Sequence, residues 1–134
     1  MRTIILTRGP DETRKPVVAT LSRLMNNGSN HVTAHFLHLS DYDHLNEHKA
    51  AYTSIKRAFK LALNGDKHIV VDAPCNSIQC WSGFASAMQG STFYTIGIDT
   101  TDDKIIFDPP AGFTMYQNVR EHMVEEILTK HKLL

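Results

Sequence analysis

Five residues near the middle of the chain, His68-Ile69-Val70-Val71-Asp72, restrict the fold more than any others. The run is apolar on both faces, so a strand built from it must be covered on both sides. Strands of that kind belong to parallel sheets with helices above and below. This one ends in a carboxylate, and in such sheets ligands bind outside the carboxyl ends of the strands.

The flanking segments fit the same scheme. Thr3 to Leu6 is a short apolar run ending at Arg8-Gly9-Pro10, and it reads as a buried strand. Pro16 suits the first position of a helix, whose apolar face is Val17, Leu21, Leu24 and Met25 and whose end is Asn27-Gly28. Val32 to Leu39 reads as a second strand, with Val32, Ala34, Phe36 and His38 on one face. From Glu47 to Asn64 the period is helical, carried by Ala51, Ile55, Ala58, Phe59, Ala62 and Leu63, and Gly65 stops it. A third helix starts at Asn76 or Ser77 and turns Trp81, Phe84, Ala85 and Met88 inward. Thr92 to Ile98 is a fourth strand. Ile105-Ile106-Phe107 reads as a fifth, too close to the fourth for a parallel crossover, so a hairpin or bend is expected. Asn118 with Glu121 marks the start of a last helix that buries Val119, Met123 and Ile127.

Alternating strands and helices predict a three-layer α/β/α domain spanning 1–134, with a mostly parallel sheet of about five strands. The composition agrees: 42% of the 134 residues are apolar, enough for a core. Net charge is zero, so no overall field draws the chain to nucleic acid or membrane, and such binding would need a local patch. The N-terminal apolar run is too short for a signal peptide. Two cysteines, Cys75 and Cys80, read as free thiols in a reducing compartment, and a cytoplasmic protein is expected.

The strand-to-helix junction Gly9-Pro10-Asp11-Glu12-Thr13-Arg14-Lys15-Pro16 is where a phosphate-binding G-x-x-x-x-G-K-[ST] loop would lie. Gly9 and Lys15 have its spacing. Arg14 stands in place of the second glycine and Pro16 in place of the hydroxyl residue. Pro16 offers neither an N–H for a phosphate nor a hydroxyl for Mg²⁺, and Arg14 brings a Cβ where the backbone should approach the ligand. The adjacent cations Arg14 and Lys15 could still hold a phosphate by their side chains. A plain strand-turn-helix with surface charges is the competing reading.

Three segments in order resemble the compact P-loop kinases of the polynucleotide-kinase and zeta-toxin type: Ile4 to Gly9 with Lys15, Ser40-Asp41-Tyr42 with the helix that follows, and Ile69 to Asn76. The resemblance covers about residues 3 to 90. It implies that Asp41 would take the proton of an attacking hydroxyl, that Asp72 would lie near Mg²⁺, and that Gly9, Arg14 and Lys15 would bind the nucleotide. Asp41 is equally suited to a turn. The family's lid arginines have no counterpart, since residues 91 to 119 hold no arginine and one lysine, Lys104. Phosphoryl transfer depends on positioning and charge neutralisation, so these departures imply weak ATP and Mg²⁺ binding and lost turnover. The expected function is a degenerate kinase-like protein that binds a macromolecule, a protein first and nucleic acid second, as a phage or mobile-element accessory protein would. Two rivals are an active polynucleotide or nucleoside kinase, and a module that binds phosphate or nucleic-acid ends.

Other groupings carry less. His44 and His48 stand four apart and would form a metal pair on one helix, although solvated surface histidines explain them as well. Arg2, Arg8, Arg14 and Lys15 are read either as an anion patch at the sheet edge or as scattered solvated cations.

Overall fold

Strand β1 (Thr3–Arg8) is buried at every position because it is the central strand of its sheet. The computed structural model of the chain describes residues 2–26, 33–74, 77–103 and 111–134. Around β1 lie β2 (Ala34–His38), β3 (His68–Ala73), β4 (Tyr94–Asp99) and β5 (Phe113–Tyr116), in the order β2-β3-β1-β4-β5. All four pairings are parallel.

The sheet has a period of two, and its faces bury different helices. Ile4, Leu6, Ile69 and Val71 pack against α2 (Glu47–Asn64) and α3 (Ile78–Met88). Ile5, Val70, Ile96 and Ile98 pack against α1 (Asp11–Met25) and α4 (Val124–Lys130). This is the three-layer architecture expected from the strand and helix alternation. The Trp81, Phe84 and Met88 stripe is buried as expected. Among the described residues no helix is long and apolar enough to cross a membrane.

Several boundaries differ from the sequence reading. The residues Ile105 to Phe107 lie outside the described segments. The fifth strand observed is Phe113–Tyr116, and the stretch between Asp99 and Phe113 is long enough for its parallel crossover. The last helix does not begin at Asn118. That residue has φ 52°, a left-handed geometry that asparagine tolerates, and a short 3₁₀ turn (Glu121–Met123) leads into α4. Leu63 is 74% exposed, because twelve residues at about 100° each carry it roughly 120° round from Ala51. Cys80 is disulfide-bonded rather than a free thiol, which removes one support for a reducing compartment.

Helices α2 and α3 approach closely at Gly83. A Cβ there would lie 2.2 Å from the His48 carbonyl oxygen and 2.9 Å from the Ala51 Cβ. Gly83→Ala is therefore expected to destabilise the protein by about 1–3 kcal/mol, the usual range for overpacking. Urea denaturation should show a lower midpoint at an unchanged slope, with exposed Ser82→Ala as the neutral control.

At the other end of the sheet the Thr3 amide donates to His68 Nδ1 at 3.0 Å. Burial pushes the His68 pKa below its ordinary value, and the nearby Arg2 and N-terminal charges push the same way. The folded protein thus holds His68 neutral, while the unfolded chain takes up a proton near pH 6.5. The stability involved is fully present above that pH and is lost as pH falls through the folded value. His68→Asn keeps an acceptor in a similar place, and a denaturation series from pH 7.5 downward should show a shallower acid loss than the parent.

Candidate functional site

The chain leaves β1 toward one face of the sheet, into α1, and leaves β3 toward the other, into α3. Because β1 and β3 are neighbours, their carboxyl ends flank the topological switch point, where open parallel sheets form their crevice. Four adjacent strands end there in titratable side chains: His38 on β2, Asp72 on β3, Arg8 on β1 and Asp99 on β4.

Residues 11–15 are helical, so the phosphate-binding loop does not form, and α1 does not wait for Pro16. Gly9 and Pro10 alone separate β1 from the first turn of α1, and the Arg14 amide already bonds the Pro10 carbonyl at 2.9 Å. Asp11 and Glu12 occupy that first turn, where carboxylates complement the helix dipole. Pro16 sits inside the helix and deprives the carbonyl of Glu12, an exposed residue, of its donor. The early start turns Arg14 inward.

Arg14 is 5% exposed. Its Nε donates to Asp72 Oδ1 at 2.6 Å, its Nη1 to the Gly9 carbonyl at 2.6 Å, and its Nη2 to Asp11 Oδ1 at 2.8 Å. The second Asp72 oxygen, Oδ2, lies 2.9 Å from His38 Nδ1. One carboxylate at the end of β3 is thus shared between a buried guanidinium and a half-exposed imidazole. Lys15 is exposed, and its Nζ is 3.4 Å from Asp11. The Arg14 hydrogen bond, and secondarily Lys15, hold the Asp11 carboxyl below its usual pKa.

A second ion pair closes the other side of β1. Arg8 Nη1 is 3.0 Å from Asp99 Oδ2, with both side chains buried, and the guanidinium lies 5.6 Å from the Trp81 ring centroid. Thr100 bonds the Arg8 carbonyl through its amide and its hydroxyl, and its Oγ1 is 2.8 Å from Thr13 Oγ1. Gly9 has φ 134°, and a Cβ there would fall 1.8 Å from Thr100 Oγ1, so only glycine fits.

Of the residues singled out from sequence, Gly9, Arg14 and Asp72 come together. Asp41 lies exposed on the 3₁₀ turn after β2 (Leu39–Tyr42) and takes no part in the Arg14–Asp72–His38 array. Arg8 and Arg14 are neither solvated cations nor an open anion patch, since both are buried and paired, and Arg2 lies at the opposite end of β1. His44 precedes α2 in a turn, so His44 and His48 do not share a helical face. Arg120, just beyond the arginine-free residues 91 to 119, donates to the Thr100 carbonyl at 2.7 Å. The sequence reading missed the roles of His38, Arg8 and Asp99. Their signal was position, since each ends a strand of a parallel sheet. No family model matches the chain, and no curated protein matches it.

Removing one partner of a buried ion pair strands the other charge. Arg14→Met is expected to cost about 3 kcal/mol. Adding Asp72→Asn should recover part of that, with a coupling of about 0.5–3 kcal/mol in a double-mutant cycle read by denaturation. Additive effects would mean that the two side chains do not act as a pair.

Proposed function

We propose that this chain is a catalytically degenerate P-loop-kinase-like protein that acts by binding a macromolecular partner. The observation that carries the reading is the engagement of Arg14. At the place where a nucleotide phosphate would need backbone donors, the protein has a helical turn bearing two carboxylates and a guanidinium bonded to its own Asp72, Gly9 and Asp11. Transfer of a phosphoryl group needs unspent donors and cations around it. Of the cations read as phosphate ligands, Lys15 alone faces solvent. A central first strand in a parallel sheet supports the kinase-like ancestry.

The partner is a protein or a nucleic acid, and an accessory role for a phage or mobile element suits a small chain of this kind. A cytoplasmic setting belongs to the same reading. There a disulfide at Cys80 would rely on shielding from reductant, and Cys80 is itself buried.

Thermal unfolding with millimolar ATP and Mg²⁺ tests the reading, because a ligand specific for the folded state raises the midpoint by mass action. No shift is expected, and no phosphate release above background. A clear shift that disappears in Lys15→Ala, or turnover at ordinary enzymatic rates, would establish an active kinase instead.

A further inference from the structure

Helix α2 separates charge in a molecule whose total is zero. It carries four of the chain's 14 lysines and arginines and one of its 14 acids, so it stands at +3 and the remainder at −3. Between His48 and Asn64 there is no carboxylate at all. Lys49, Lys56, Arg57 and Lys60 are all exposed. At about 100° per residue the three lysines lie within roughly 40° of one another, with Arg57 some 60° to one side, and they extend over about 16 Å of helix. The single acid, Glu47, is bonded to Ser77 at the start of α3. Helix α3, the neighbour in the same layer, contains no charged residue. Lys56 is held in place, its Nζ 5.4 Å from the Tyr52 ring centroid and 5.9 Å from that of Phe59.

We infer that the outer face of α2 binds the phosphodiester backbone of a nucleic acid, without reading sequence. The inference rests on the reading of the chain as a partner-binding scaffold and names its partner. Rows of exposed cations recognise phosphates. Lysine is depleted in protein–protein interfaces, which makes an acidic protein the weaker match. The face is distinct from the switch-point crevice, so chain ends are not required.

Fluorescence anisotropy with a 20-nucleotide single strand and the matching duplex tests this. Binding in the micromolar range at 50 mM salt is expected for at least one of them. Three to four phosphate contacts should weaken it by 200 mM about 20–50-fold for the single strand and about 40–150-fold for the duplex. The triple variant Lys56→Glu, Arg57→Glu, Lys60→Glu should abolish binding, whereas Arg23→Glu, exposed on the opposite layer, should lose less than threefold. A 5′-phosphate should make no difference. Circular dichroism and thermal unfolding check that the triple variant folds, and single Lys56→Gln, with an expected loss of about threefold or more, serves if it does not. No binding of either probe, binding unchanged in the variants, or equal affinity for poly-glutamate would overturn the inference. The last result would assign the face to an acidic protein. None of these outcomes bears on ATP, so failure here leaves the degenerate-kinase reading standing, and an ATP shift lost in Lys15→Ala would sink that reading alone.

Discussion

The carboxyl edge of this sheet is governed by one bond, from the Arg14 guanidinium to the Asp72 carboxylate. A buried arginine needs its charge matched and its five N–H groups occupied. Asp72 can do so because β3 ends beside β1, and Arg14 can reach it because α1 begins three residues earlier, at Asp11. The helix start and the inward arginine are therefore one arrangement. Thr100 and Gly9 complete it from the β4 side, where the close approach admits no Cβ.

Electrostatically, β1 is flanked by two internal pairs, Arg14–Asp72 toward β3 and Arg8–Asp99 toward β4. Each cation is spent on a carboxylate of the same edge. The place where parallel sheets gather ligand-binding groups is here neutral and self-bonded. A row of exposed positive charge lies elsewhere, on the outer surface of α2. The switch point thus carries internal ion pairs, while α2 presents a row of exposed cations.

The layers were legible in the sequence because burial dictates them. Apolar runs such as Ile69-Val70-Val71 admit few environments, and the period of α2 follows from Ala51, Ile55 and Ala58. The edge was less legible. Asp72 and Gly9 stood out by position, but whether Arg14 pointed out to a ligand or back into the protein depended on where α1 began. Pro16 pointed to a late start. The acidic pair Asp11 and Glu12, favourable at a helix N-terminus, prevailed instead. His38 and Asp99 required knowledge of which strands were neighbours, which a sequence read segment by segment does not contain. β5 went unrecognised because its four residues, Phe113–Tyr116, are only half-buried and lack a strong pattern.

The central position of β1 also has a temporal side. Its partners lie far along the chain: Ile4 pairs with Ile69 and Thr3 with Tyr94. As the polypeptide leaves the ribosome, this buried strand has no neighbour to dock against until β3 has been made. Contacts this remote in sequence form slowly. During that interval β1 is a sticky, unpaired ribbon of the kind that chaperones shelter.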